Sequence, residues 1–426
     1  SLKEVLSDRF ETVYAQGCDI IGTSEEGFSD AVKAANESDV VVMALGGNCG
    51  WVNVTGGEGK DRQSLELPGV QEKLLETVAA TGKPVVLVLY GPGIFSVNWA
   101  VENVAGIVQA WMPGPFAGEA VTNVLDGNFN PGGKLNVTIP RSAGQIPIFY
   151  NHKNGSGYAS GSDATSAAIF SGGYTDGLGT PLYPFGYGLS YTEFALDHFK
   201  IEKTEIPTDG KIEVSCTVSN IGAVAGDEVV QLYVHKKGSR VQRPIRQFVG
   251  FERIHDIQPK ETRKVTFMVQ LWELEYYDVI SERMILEDGM YQFMAGASSQ
   301  DIRLEQSIEI DGTHAGKRNP FQATAADCYD AYDHMFLHRG INGSSCVIPG
   351  CAGDDPDEMK EQPVSGKLIY HDFVFCKKPL RLNITLKVLE PVKVTVTGKN
   401  VATVTAEPVD CYRMLEMDLP ENLLAV

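Results

Sequence analysis

The sequence predicts an α/β fold joined to an all-β one: an incomplete parallel-sheet α/β sandwich at 1–192, a β-sandwich at 193–312 and a further β-rich domain at 313–426. Three observations predict it. Continuous apolar runs separated by helical patterns fill the first part, the signature of parallel strands covered on both faces. Past residue 190 the pattern becomes spaced strands divided by turn signals. After Asp311-Gly312 the composition shifts again, and alternating strand patterns return at Leu380–Val388 and Val392–Val396. A chain of 426 residues is long enough for roughly two to four such domains with ample cores.

Taken in order, a helix is expected at Leu2–Phe10. Val40–Leu45 reads as a buried strand ended by Gly46 and Gly47. Val70, Leu74, Leu75 and Val78 then recur at helical spacing over 70–80, and Gly82 with Pro84 closes that helix. The strand Val85–Tyr90, a helix near Glu102, the strand Gly106–Trp111 and a short helix at Gly118–Leu125 continue the alternation. Residues 151–180, rich in Gly, Ser, Ala and Tyr, read as a long surface loop. Strands follow at Phe194–Lys203, Lys211–Asn220, Glu228–His235, Thr262–Met268, Met290–Ala295 and Ile302–Ile310, with turns at Thr208-Asp209-Gly210 and Asp288-Gly289. The run Tyr183-Pro184-Phe185-Gly186-Tyr187-Gly188-Leu189-Ser190-Tyr191 is expected to be an inter-domain joint, with Pro and Gly setting turns and the rings packing.

The formal charge of −19 argues against nucleic acid or an anionic membrane as partner, since neither polyanion would attract this chain. A neutral, hydroxyl-rich ligand is compatible with it. No apolar run approaches the ~20 residues of a membrane helix, and no signal peptide stands at Ser1, although a mature chain would have lost one. Of the eight cysteines, Cys18 and Cys216 fall in strand contexts, and Cys346 and Cys351 either bridge a short loop or are free. No Cys-x-x-Cys pair and no ligand spacing among the histidines points to a metal. Glycosylation sequons at Asn53, Asn136, Asn154, Asn342 and Asn383 carry meaning only in a secreted chain, so extracellular and bacterial cytoplasmic settings both stay open.

The chemistry concentrates in Thr55-Gly56-Gly57-Glu58-Gly59-Lys60-Asp61-Arg62-Gln63-Ser64-Leu65-Glu66-Leu67-Pro68-Gly69, which lies between the first buried strand and its helix. Ligands of open α/β sheets bind outside the carboxyl ends of the strands, where this loop falls. Gly57 and Gly59 flank Glu58 and allow a turn and close approach of a substrate. Asp61 and Arg62 read as loop-shaping residues, a capping carboxylate with a paired arginine. Glu66 and Glu119 read as helix-start charges. Trp51 offers an aromatic face on which a sugar ring can stack, or a cover for a core edge. Gly59-Lys60-Asp61 lacks the Ser/Thr of a phosphate-binding loop, and neither Gly-x-Ser-x-Gly nor His-Glu-x-x-His occurs.

With Val108-Gln109-Ala110-Trp111-Met112-Pro113-Gly114, Gly118-Glu119-Ala120, Asn130-Pro131-Gly132-Gly133-Lys134-Leu135, the Tyr183–Tyr191 run and Gly226-Asp227-Glu228-Val229-Val230-Gln231-Leu232-Tyr233-Val234, this loop closely resembles the C-terminal half of glycoside hydrolase family 3, β-glucosidase type. The resemblance covers roughly residues 1–310. It implies that Glu58 is the general acid/base and that 193–312 is fibronectin type III-like. The family's nucleophile is an Asp in a Ser-Asp-Trp setting on an N-terminal barrel. Here Asp8, Asp30, Asp39 and Asp163 follow serines but precede Arg, Ala, Val and Ala. The strand and glycine-rich loop that open this domain in the family are also absent. The expectation is therefore part of a retaining exo-acting β-glycosidase, most plausibly a β-glucosidase, free of metal and organic cofactor. Its partner would be a barrel-bearing polypeptide and its substrate a β-linked glucoside or oligosaccharide. A β-xylosidase and a non-catalytic carbohydrate-binding scaffold are the alternatives. Phe321–Tyr329 and Leu368–Phe375 loosely resemble a family 6 carbohydrate-binding module.

Overall fold

The computed structural model describes residues 2–152, 174–202 except Thr175, 210–313 except Arg240, Gln242 and 279–281, and strand segments between 331 and 418. The expected loop core at 153–173, the turn at Thr208-Asp209, the Cys346–Cys351 question and most of the module-like stretches lie outside the described residues.

The first part is built on three parallel strands in the order β1 (Val41–Gly46), β2 (Val85–Tyr90), β3 (Gly106–Trp111). β1 pairs with β2 from Val41↔Val85 to Gly46↔Tyr90, and β2 pairs with β3 from Val86↔Gly106 onward. Leu87 and Val88 point to opposite faces of the central strand and both are fully buried, so the sheet is covered on both sides. Each such side chain contributes about 1.5–3 kcal/mol by leaving water.

The helices are α1 (Leu2–Ser7), α2 (Phe28–Asn36), α3 (Gln71–Ala79), α4 (Asn98–Asn103) and α5 (Ala117–Leu125). α3 buries Gln71, Leu74, Leu75 and Val78, one face at i, i+3, i+4, i+7, and packs against α2. α1 packs against α5, and Arg9 just beyond it pairs with Asp126 just beyond α5.

The second part is a β-sandwich. One sheet orders β4 (Phe194–Glu202), β5 (Lys211–Asn220) and β8 (Thr262–Gln270). The other orders β12 (Ile302–Ile310), β11 (Gly289–Gly296), β6 (Gly226–Lys236) and β7 (Gln247–Ile257). Alternate residues Val214, Cys216 and Val218 of β5 share one core with Val230, Leu232 and Val234 of β6 and Tyr291, Phe293 and Ala295 of β11. A hairpin of β9 (Tyr276–Asp278) and β10 (Arg283–Ile285) lies alongside in sequence. Further on, β13 (Ala331–Asp333) pairs with β16 (Lys367–Ile369), and β14 (Met335–Arg339) with β15 (Ser345–Pro349). β17 (Arg381–Val388) pairs with β20 (Val409–Asp418), and β18 (Val392–Thr397) with β19 (Val401–Ala406), all antiparallel.

The Tyr183–Tyr191 run does join the two parts. The Phe185 ring stacks on Tyr150 at 4.3 Å, and Tyr191 Oη donates to the Val124 carbonyl at 2.8 Å. From the sandwich, buried Gln231 donates through Nε2 to the Gly186 carbonyl at 3.0 Å and the Ala297 carbonyl at 2.7 Å. Its Oε1 accepts from Tyr233 Oη at 2.6 Å. Lys134 Nζ lies 3.0 Å from Glu228 Oε1 in a buried pair.

Several expectations need correction. α1 stops at Ser7 rather than Phe10, where the Ser7 hydroxyl bonds back to the Lys3 carbonyl at 2.8 Å. Cys18 lies at a bend, not in a strand. α2 and β7 were not foreseen. α2 is short and Ala-rich, and β7 is an edge strand whose Glu252, Arg253, His255 and Asp256 break up any apolar alternation.

Candidate active site

Because β1, β2 and β3 run parallel, their carboxyl ends Gly46, Tyr90 and Trp111 open on one end of the sheet. The loops 47–70, 91–97 and 112–116 all leave from there. Gly47 N–H donates to the Tyr90 carbonyl at 2.7 Å, and Gly91 N–H to the Trp111 carbonyl at 2.9 Å, so the sheet pairing runs on into the loops.

Loop 47–70 is closed at its base by Gln71. Its Oε1 accepts the Gly46 N–H at 2.6 Å, and its Nε2 donates to the Gly46 carbonyl at 2.7 Å and the Ile20 carbonyl at 2.8 Å. Every hydrogen-bonding position of the amide that faces the backbone is matched, which also fixes which atom is oxygen and which nitrogen. Gly46 takes φ 125°, and a Cβ there would stand 1.9 Å from the Tyr90 carbonyl oxygen, so no other residue fits.

Above the base, Asn48 and Thr55 bond reciprocally: Asn48 N–H to Thr55 Oγ1 at 2.9 Å, Thr55 N–H to Asn48 Oδ1 at 3.1 Å, and Thr55 Oγ1 to the Asn48 carbonyl at 2.9 Å. Gly50 N–H reaches the Gly56 carbonyl at 3.3 Å, and Lys60 N–H closes a tight turn onto the Gly57 carbonyl at 3.1 Å. Gly57 has φ 147° and Gly59 φ 66°, and a Cβ on Gly57 would meet the Gly50 carbonyl oxygen at 2.6 Å.

Glu58 sits at the tip of that turn, exposed, and its carboxylate has no hydrogen-bond or ionic partner among the described residues. Trp51 is on the opposing limb and is 71% exposed. On the return limb Arg62 lies over the Phe95 ring at 5.2 Å and donates to the Glu66 carbonyl. Burial lowers the Arg62 guanidinium and nearby Glu66 counters it. Ser96 N–H donates to the Leu65 carbonyl at 2.7 Å, tying this limb to loop 91–97. Burial, then Glu66 and Glu76, raises the Glu72 carboxyl, and burial raises the Tyr90 phenol.

Asp61 is exposed, with no side-chain partner among the described residues, so it is neither a helix cap nor the arginine's partner. The cap position of α3 falls on Val70, without a side-chain bond. Glu66 precedes α3 by a turn of chain and Glu72 takes its first turn, while Glu119 does lie in the first turn of α5. Sequence reasoning missed Gln71. The signal was present: a polar residue stands at the first place of the buried stripe that Leu74, Leu75 and Val78 continue. Among the described residues no group of three or more His, Cys, Asp or Glu side chains could hold a metal ion, and no helix is long and apolar enough to cross a membrane.

Comparison with known proteins agrees with this architecture. A family model described as the glycosyl hydrolase family 3 C-terminal domain matches residues 1–191, and a fibronectin type III-like domain matches 228–299. A beta-xylosidase of Formosa agariphila is 40% identical over 302 residues, which is 70% of this chain and 39% of that protein. A periplasmic beta-glucosidase of Salmonella typhimurium is 32% identical over 71% of this chain and 38% of its own length. The crystal structure of a beta-glucosidase from Listeria innocua in complex with glucose superposes with TM-score 0.66 at 31% identity, covering 74% of this chain and 42% of that one. The chain thus spans about two fifths of the length of these relatives. Its residues 1–191 belong to the glycosyl hydrolase family 3 C-terminal domain, and residues 228–299 to the fibronectin type III-like domain that follows it.

Proposed function

We propose that this chain supplies the general acid/base, Glu58, of a retaining exo-acting β-glycosidase whose nucleophile resides on a barrel-bearing polypeptide. The observation that carries the reading is the carboxylate itself: exposed, unpartnered among the described residues, on a glycine-flanked turn at the carboxyl end of a parallel sheet. Protonated Glu58 gives its proton to the glycosidic oxygen as the partner's carboxylate bonds to the anomeric carbon, the bond from that carbon to the glycosidic oxygen breaks and the aglycone leaves as an alcohol. The resulting Glu58 carboxylate then takes a proton from water as the oxygen attacks that carbon and releases the nucleophile. The two carboxyl groups must approach to about 5–5.5 Å.

The sugar is most simply glucose. The 40% identical relative is named a beta-xylosidase, which favours xylose as the second reading. Trp51 would stack on the aglycone, Gly57 and Gly59 shape the turn, and Arg62 braces its return limb, with Asp61 a solvent-facing neighbour. Trp51, Val52, Met112 and Phe116 are 71%, 78%, 63% and 74% exposed on loops from this same end of the sheet, which supports docking of the barrel there. The boundaries near 192 and 312 and a sugar-binding tail beyond them belong to the same proposal; deleting the tail should weaken retention on polysaccharide and spare small glycosides.

The test is Glu58→Ala in the barrel-containing enzyme. Turnover of a glycoside with a poor leaving group should fall ~10²–10⁴-fold, while glycosylation by an aryl glycoside of low leaving-group pKa is much less affected. Azide should restore the second step and give a β-glycosyl azide with retained configuration. An equal loss on every substrate without rescue would move the acid elsewhere.

A further inference from the structure

Gln71 stands at one end of loop 47–70 and Gly46 at the other, so the hydrogen bonds between them close the loop where it leaves the sheet. The same amide holds the Ile20 carbonyl, which fixes the chain leading into α2 as well. Gln71 is 2% exposed and borrows the place of a leucine in the α3 stripe, so these bonds form away from water. Buried amide bonds of this kind are costly to leave unmade, and here one side chain satisfies both backbone groups of the last residue of β1.

From Gly46 the connections run upward without a break. Gly47 bonds to Tyr90, Asn48 to Thr55, Gly50 to Gly56, and Gly57 to Lys60 around Glu58. We infer that Gln71 is a positioning residue for Glu58, setting the direction in which the acid/base loop leaves the sheet. The inference rests on the reading of Glu58 as the acid/base. Gln71 touches no substrate; its influence reaches the carboxylate through the ladder of loop bonds.

Hydrogen exchange on the 426-residue chain tests the structural half. Gln71→Met keeps the side-chain length and removes every hydrogen bond. The amides of Gly46, Gly47, Asn48 and Thr55 should then exchange at least about tenfold faster, while Val85–Tyr90 amides keep their protection and show that the sheet is intact. Gln71→Glu serves if the Met variant does not fold. Its protonated form can still donate to a carbonyl, whereas its charged form turns a second anionic oxygen on the Gly46 and Ile20 carbonyls. With one donor in place of two, loop protection should be partly kept at acid pH and fall further as pH rises. Unchanged loop exchange in Gln71→Met would overturn the inference.

The barrel-containing enzyme tests the functional half. Gln71→Met should lower kcat about tenfold or more for a poor leaving group and far less for an activated aryl one, with KM little changed. If Glu58→Ala shows that leaving-group dependence and Gln71→Met does not, this inference fails and the reading of Glu58 stands. If Glu58→Ala itself lacks it, the reading of Glu58 has failed first.

Discussion

Glu58 and Gln71 sit at opposite extremes of hydrogen bonding although one loop joins them: the carboxylate has no partner among the described residues, the amide has three. The role proposed for Glu58 needs an unoccupied carboxylate, whereas a group that holds backbone gains from full occupancy. Other side chains are equally legible from their surroundings. Burial pushes the Cys216 thiol up to about 11, whereas Cys49 is exposed on loop 47–70. Iodoacetamide near neutral pH should therefore label Cys49 in the native chain and reach Cys216 only after denaturation; rapid native labelling of Cys216 by peptide mapping would contradict the packed sandwich core.

Asp227 offers a pH test. Burial pushes its carboxyl upward, but the Asp256 N–H at 2.9 Å and the Arg253 and His255 side chains at 2.8 Å outweigh that and hold it below the usual carboxylate range. A depressed folded-state value means stabilisation that is present above the ordinary carboxylate pKa of about 4 and lost as pH falls through the folded value. Asp227→Asn should lower the thermal midpoint at neutral pH, and the gap from the parent chain should narrow on acidification. The sequence singles out Glu58 as a candidate through its flanking glycines, a local pattern whose tight turn the structure contains. It hid Gln71 and Asp227 because their partners lie far along the chain, at Gly46 and Ile20 for one and at 253–256 for the other.

At the level of elements, β2 carries the α/β part, since it lies between β1 and β3 and its Leu87 and Val88, on opposite faces, are both completely buried. Leu87→Ala should cost about 2–5 kcal/mol by urea titration, the range set by how far the cavity collapses. A loss under about 1 kcal/mol would mean β2 is less enclosed than the complete burial of Leu87 indicates. Strands are easy to read where the pattern is plain, as a continuous apolar run at Val85–Tyr90 or an alternation at Lys211–Asn220 and Ile302–Ile310; these and Gly106–Trp111 begin and end where the sequence places them. The elements that were missed bury little. β7 carries its polar residues outward at the sheet edge and shows no apolar alternation, whereas α2 does repeat Phe28, Ala31, Val32 and Ala35 at helical spacing but is short and buries only Phe28 and Ala35.

Across the whole molecule the two parts are held by polar side chains buried at their joint rather than by a greasy interface alone. Lys134→Met would leave Glu228 buried opposite an apolar group, and breaking such a pair costs about 3 kcal/mol or more. Chemical denaturation of the parent chain should unfold residues 1–191 and the sandwich together, and Lys134→Met should separate the transitions; one unchanged transition would place the coupling elsewhere. A loop held by bonds among its backbone groups leaves its outward side chains uncommitted. Trp51, Val52 and Lys60 can be exchanged while Gly46 and Gln71 keep β1 and α3 in place. Descendants of one ancestral scaffold can in this way change what this end of the sheet presents without renegotiating their stability each time.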